Sequence, residues 1–494
     1  MCRSTQRNNF VYNDINMTSL SEDINLKNPM DKNRPVHIIG GGGVGMSALA
    51  SLLVKSGYSV SASDKNGGKY LEKLGEIGAK VWTGSHPELI PHNALIFYSS
   101  AIGPQDPERL YAASQNWETH SRHGLLQAIT REYHTIAISG THGKTTTTGW
   151  IAYLLELAGL DPNALVGGTL VQWNSHIRFG EGQLNGRKIL VMEADESDES
   201  FLHIVSQETV VTNIELDHVD RYADLNQVAE NFRKFIGNCQ KSGGVFFPSF
   251  EVIDLLKGPM NSFDKINEII RNIRIEESAH GLDFQSKGQS FFFKVGLSGV
   301  HNLWNAFAVL VFALYHELPE PVIRDALLNF KGVERRMQKL GEFTNQNGIS
   351  ITVIDDYAHH PTEIKMVLET LLGEYENLVV VWEPHRISRM IHFNREFESV
   401  FNDSLGVEKI FLMPVFDAAG EKHMPEFSRF HETWNLWNSR VSGILETRGD
   451  YQKLIFHINT FKKKTALVFL GAGFSSEFAL DFYKTATEKN IPVS

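Results

Sequence analysis

Cysteine is nearly absent from this 494-residue chain, which contains only Cys2 and Cys239. Two thiols exclude a disulfide framework and a cysteine metal site, and they suit a reducing compartment, so the expected location is cytoplasmic. An excess of positive charge is lacking too. The 47 Lys and Arg stand against 58 Asp and Glu, a formal net charge of −11, which speaks against nucleic acid as a partner. Any anionic ligand must therefore be met by a local group of positive side chains. Long apolar runs are also missing. The most apolar window, Leu303 to Leu314, is about half of the roughly 20 residues a spanning helix needs. No membrane insertion is expected. Residues 1–34 are polar, have no apolar stretch suited to a signal peptide, and read as a flexible tail.

Glycine, in contrast, is placed where it matters. Residues 136–148 run from an apolar strand through Gly140-Thr141-His142-Gly143-Lys144-Thr145-Thr146 into a helical pattern. Backbone N–H groups of such a turn, with the positive end of the helix, cradle phosphate oxygens. Lys144 adds a mobile charge for terminal phosphates, and the Thr145 hydroxyl suits Mg²⁺. Ile138 stands where the first glycine of G-x-x-x-x-G-K-[ST] belongs, so the shorter turn Gly140 to Gly143 must do the bending.

A second glycine turn lies upstream. The strand Val36 to Ile39 leads into Gly40-Gly41-Gly42-Gly43-Val44-Gly45-Met46-Ser47, which satisfies G-x-G-x-x-G and opens a helix through Lys55. Asp64 ends the next strand about 20 residues on, a spacing suited to a carboxylate that accepts from a ribose or base. Alone, this motif would point to NAD. Ser99 and Ser100 end a third strand, where they either meet a ligand or cap the next helix.

After the Lys144 turn, the strand Lys188 to Met192 runs into Glu193, Asp195, Glu196 and Asp198. These are a solvated acidic loop or a divalent-cation site, with Glu193 the first choice of ligand. The strand Thr209 to Ile214 ends before Asp217 and His218; expected beside the Glu193 strand, it makes His218 a second candidate ligand. Asn302 and Asn305 share a helix face. Capping accounts for Asn302 but not for Asn305. Arg335 and Arg336 offer guanidiniums suited to phosphate oxygens. From about Gly341 a further α/β pattern begins. Its strand ends carry Asp356, Tyr357, His359 and His360, and then His385, Arg386 and Arg389.

Taken together, GGGGVGMS, GTHGKTTTT, EADESDESF, TNIELDHVDRY, HNLWNA, GVERR and DDYAHHPTE resemble the Mur ligases of peptidoglycan synthesis. The resemblance implies an α/β chain of three domains: a Rossmann-like UDP-sugar-binding domain at 35–131, a P-loop ATPase-like central domain at 132–338, and a Rossmann-like amino-acid-binding domain at 339–494. It implies ATP and Mg²⁺ as cofactors, and UDP-N-acetylmuramate and L-alanine as substrates joined through an acyl phosphate. Gly42, Gly43, Gly45, Met46, Ser47, Asp64, Ser99 and Ser100 would then face the UDP-sugar, not NAD. Gly140, Thr141, His142, Gly143, Lys144, Thr145, Thr146, Asn305, Arg336 and Asp356 would meet ATP. Thr145, Glu193 and His218 would hold the metal. Tyr357, His359, Arg386 and Arg389 would surround the amino acid, and Lys144, His218 and Arg386 would carry the chemistry. His218 and His359 are both candidates for the base that deprotonates the alanine ammonium.

Overall fold

A computed structural model describes residues 30–219, 221–239, 244–247, 250–256, 263–404, 406–417 and 441–488. Residues 1–29 of the expected tail and Asp220 of the DHVDRY motif lie outside the described residues. The chain divides into two compact units, Met1–Ala128 and Ile129–Ser494.

The first unit is built on a five-stranded parallel sheet in the order Lys80–Thr83, Val60–Asp64, Val36–Ile39, Leu95–Tyr98, Thr119–Ser121. Winding reverses beside Val36–Ile39, so the glycine turn that follows this strand opens at the switch point where such sheets bind ligands. Residues 30–34, counted with the tail on sequence grounds, pack on this unit instead. Met30 is buried and its carbonyl accepts from the Tyr58 hydroxyl, while Arg34 pairs with Glu118 at 2.6 Å. An apolar side chain with a pocket and an arginine with a partner outweigh the polar composition around them.

In the second unit, a seven-stranded sheet runs Val245–Phe246, Glu208–Val211, His134–Ser139, Arg187–Glu193, Asn163–Leu170, Ser175–Arg178, with Gln183–Leu184 paired to Arg187–Glu193. The strand before His218 was expected beside the Glu193 strand. It is not: His134–Ser139 lies between them, paired in parallel with both. The phosphate-turn strand is thus flanked on either side, and the two candidate ligands approach it from opposite neighbours. Helix Lys144–Leu157 follows the turn and buries Trp150, Ile151, Leu154 and Leu155. It packs on helices Val300–Tyr315 and Glu320–Asn329, and Trp150 Nε1 donates to the Ala326 carbonyl at 2.7 Å. The apolar window Leu303 to Leu314 is this buried helix Val300–Tyr315. Among the described residues, no helix is long and apolar enough to cross a membrane.

A small antiparallel sheet, Ile273–Glu276, Gly281–Ser286 and Gln289–Lys294, had no counterpart in the sequence reading. The final sheet runs Gln338–Thr344, Ser350–Asp356, Thr465–Leu470, Asn377–Trp382, Val407–Leu412, Val441–Ile444, antiparallel only at its first pair. Its two innermost strands, Thr465–Leu470 and Asn377–Trp382, are apolar at every position after the first because both faces are covered. Val380, Trp382, Val468 and Leu470 join one core, and Val379, Val381, Leu467 and Phe469 the other.

Candidate functional site

The turn after His134–Ser139 has the backbone its glycines require. Gly140 takes φ +138° and Gly143 φ +79°, where side-chain-bearing residues are strained. A Cβ on Gly143 would also collide with the Asn305 side chain. The turn is laced to the segment after Glu208–Val211. Thr141 N–H donates to Asn213 O at 3.0 Å and His142 N–H to Asn213 Oδ1 at 2.9 Å; Asn213 Nδ2 and Thr212 Oγ1 both donate to His142 O. Thr212, Asn213 and Glu215 were not singled out from sequence, although the TNIELDH motif contained them.

Lys144 begins the helix. Its half-buried ammonium donates to Gly140 O at 2.8 Å and lies 2.9 Å from both oxygens of Glu196. Burial opposes its charge, but Glu196, Asp195 and Glu193 outweigh that and raise its pKa. For Glu196 burial prevails, with Asp195 adding to it against Lys144, and the carboxyl is pushed up to about 7. Glu193 Oε1 accepts from Thr145 Oγ1 at 3.2 Å and Oε2 from Gly167 N–H at 2.8 Å. Burial raises its pKa as well. Asp195 and Asp198 instead receive Ser197 and Ser200 N–H groups two residues on.

His218, at φ +50°, stands 3.8 Å from Glu196 and 3.8 Å from Asp217. Burial lowers its pKa, and its Nδ1 is buried with no hydrogen-bond partner. The Thr145 hydroxyl and Glu193 carboxylate, with the His218 imidazole beside Glu196, are donor types that suit a divalent cation.

A cavity of about 370 Å³ opens beside the turn, lined among others by Gly143, Thr145, Thr146, Asn302, Asn305, Arg336 and Asp356. His301, Trp304 and Glu363 line it too and were not singled out from sequence. Asn305 accepts from Thr147 Oγ1 and donates to Asn302, while Asn302 donates to Ser298 O. Capping does not explain Asn302, since the N-cap of this helix is Gly299. Arg336 reaches Glu363 at 3.5 Å, whereas Arg335 turns away and donates to Gly471 O at 2.7 Å. Both guanidiniums lie about 5 Å from the Tyr357 ring, at 5.0 and 5.1 Å. Asp356 receives Met337 and Ala358 N–H groups, each at 2.7 Å, and burial pushes it up to about 6 despite Arg336.

The histidines divide by partner. Burial works against a charged His142, yet Glu215 at 3.5 Å and Glu363 at 3.3 Å outweigh it and push the ring up to about 9. Burial and Arg389 bring His359 down to about 3. Arg389, expected near the amino acid, is buried in a bidentate pair with Asp217 and donates to His385 Nδ1 at 2.8 Å. Arg386 is only partly buried, opening the helix Ile387–His392 at φ +62°.

In the first unit, Asp64 builds the turn itself: Oδ2 accepts from Gly42 N–H at 2.9 Å and Oδ1 from Asn66 N–H at 3.0 Å. No side chain caps the helix Val44–Lys55, so its first N–H groups are open to an anion. The Arg122 guanidinium stands next to Gly45, 3.3 Å from where a Cβ would be; nothing in the sequence singled it out. Ser99 and Ser100 do not cap the next helix. Asp106 does, accepting from Glu108 and Arg109 N–H groups.

Strand, glycine turn, lysine and neighbouring acids define a P-loop protein of α/β build, preceded by a Rossmann-like unit. The Mur ligase middle domain matches residues 138–313, and the Mur ligase family catalytic domain matches residues 35–134. The UDP-N-acetylmuramate–L-alanine ligase of Hydrogenobaculum sp. is 34% identical over 92% of this chain and 99% of that protein. Its counterpart of the same name from Aquifex aeolicus is 33% identical over 91% and 97%. The crystal structure of UDP-N-acetylmuramate-alanine ligase from Thermotoga maritima superposes with a TM-score of 0.68 at 23% identity, covering 92% of this chain and 99% of that one. The chain belongs to the Mur ligase family.

Proposed function

We propose that this chain is an ATP-dependent ligase that joins L-alanine to the lactyl carboxylate of UDP-N-acetylmuramate, through an acyl phosphate, in cytoplasmic peptidoglycan-precursor synthesis. The observation that carries the reading is Lys144, a half-buried cation held in a glycine turn whose N–H groups open a helix. Relatives of that named activity, similar over nine-tenths of the chain, support the choice of substrates.

The reaction must bring a carboxylate to a polyphosphate, two groups that repel. Lys144 exchanges Glu196 for phosphate oxygens, and the N–H groups of Gly143 to Thr146 share the remaining charge. Asn305, Arg336 and Asp356 take the rest of the nucleotide in the cavity they line. Thr145, Glu193 and His218 would hold Mg²⁺, which when bound neutralises phosphate charge. The carboxylate oxygen attacks the γ-phosphorus and ADP leaves. The neutral alanine amine then attacks the acyl carbon; phosphate departs with the C–O electron pair and takes up the proton that the nitrogen gives off. Arg386 meets the alanine carboxylate beside Tyr357 and His359, while Arg389, anchored on Asp217, supports His359 through His385, whose ring lies 4.9 Å from it. His359, brought down to about 3, is too weak a base to take the alanine ammonium proton; its Nδ1–H donates to Tyr357 O at 2.9 Å and the ring orients the acceptor instead. In the first unit, Gly42, Gly43, Gly45, Met46 and Ser47 hold the diphosphate with Arg122, and Asp64, Ser99 and Ser100 lie toward the nucleoside.

The test is phosphate release with UDP-N-acetylmuramate, ATP, Mg²⁺ and a panel of acceptors. Release should require both the sugar nucleotide and alanine. Release that ignores the sugar nucleotide, or that runs with a preformed tripeptide in place of alanine, overturns the reading.

A further inference from the structure

A second cluster sits in the Ile129–Ser494 unit, and the proposed reaction does not use it as a group. His142 from the phosphate turn, Glu215 from the segment beside it and His360 from the last sheet each place one ligand atom within 4.8 Å of the others. His360 is 4% exposed. Its Nδ1 accepts from Thr362 N–H at 3.3 Å, and its Nε2 is buried with no partner. His142 Nε2 likewise has no hydrogen-bond partner and lies 3.5 Å from Glu215 Oε2. The surroundings orient this set as outer groups orient metal ligands: Glu363 Oε1 stands 3.3 Å from His142 Nδ1, and Thr362 Oγ1 donates to Glu215 Oε2 at 3.0 Å.

We propose that His142, Glu215 and His360 form a site for a transition-metal dication of zinc's chemistry, which clasps the phosphate turn to the start of helix Pro361–Leu372. Two imidazoles and one carboxylate are a tetrahedral zinc set with one position left for water, whereas Mg²⁺, which favours oxygen, suits two imidazoles less well than the single one beside Thr145 and Glu193. Coordination through His360 Nε2 moves that ring's remaining proton to Nδ1 and gives up only the long contact with Thr362 N–H. At His142 the ion takes the place of the Nε2 proton that faces Glu215, while Nδ1–H stays toward Glu363, which keeps the ring oriented.

The probe is Zn²⁺ itself, titrated into the full chain in excess Mg²⁺ against a chromophoric chelator. One equivalent should bind. His360→Gln should weaken it about ten- to hundredfold, and Glu363→Gln about tenfold although Glu363 does not touch the ion. Glu193→Gln, in the other candidate cation site, should leave the affinity unchanged. Equal affinity in His360→Gln, or loss of binding in Glu193→Gln, overturns the site. Should His360→Gln fail to fold, Co²⁺ on the intact chain decides: intense visible bands of four-coordinate cobalt support the site, and the weak bands of an octahedral ion contradict it.

Discussion

Two glycine turns in this chain share one local grammar, strand then glycines then helix, yet they are held in different ways. The turn at Gly40–Gly45 hangs from its own neighbouring strand. Ser63 O accepts Gly40 and Gly41 N–H groups, and Asp64 accepts Gly42 N–H. Beneath it, buried Glu108 grips the Ser63 hydroxyl and takes Trp82 Nε1 and His86 N–H. The turn at Gly140–Lys144 is laced across to Thr212, Asn213 and Glu215, and carries a lysine with acids around it. A passive cradle suits an anion that is bound and kept in place. A cationic cradle next to cation ligands suits one that reacts.

The sharpest way to break this contrast is Lys144→Ala. It should lower turnover about a thousandfold, the scale of a lost transition-state donor, and leave sugar-nucleotide affinity intact in calorimetry; equal losses in both would erase the distinction. Next comes the scaffold behind the second turn. Arg389→Met strands the buried Asp217 carboxylate and should destabilise the second unit by about 3 kcal/mol, read by denaturant unfolding with separate probes for the two units. The first turn has a matching anchor in Glu108. Burial opposes its ionisation, but His37, Ser63 and the His86 amide outweigh that and bring it down to about 2 from 4.5. A lowered carboxylate stabilises above its unfolded value. The first unit should therefore lose stability as pH falls from about 4.5 toward about 2, and Glu108→Gln should flatten that part of the profile. The smallest effect is expected of Asp64→Ala. Freeing one turn N–H should raise the sugar-nucleotide KM about tenfold with little change in kcat or in the KM for ATP.

Both turns were legible because each is a local event: glycines at fixed spacing between an apolar strand and a helical period. Strand order was not. Nothing in residues 187–193 or 208–211 says that His134–Ser139 lies between them, so His218 was assigned to the wrong neighbour while still arriving near Glu196. Long-range pairs escaped for the same reason. Arg389 read as a substrate arginine because its partner, Asp217, is 172 residues away in the chain. The small antiparallel sheet was missed although its signal is local. Lys287-Gly288, at φ +51° and +78°, is a two-residue hairpin turn between paired Ser286 and Gln289.

The most direct test is a crystal structure with a non-hydrolysable ATP analogue, Mg²⁺ and UDP-N-acetylmuramate. The triphosphate should lie against Gly140 to Thr146, with Lys144 turned from Glu196 onto its terminal oxygens, and the sugar diphosphate should lie against Gly42 to Ser47. A triphosphate seated on the Gly40–Gly45 turn, with Lys144 still paired to Glu196, would contradict the account.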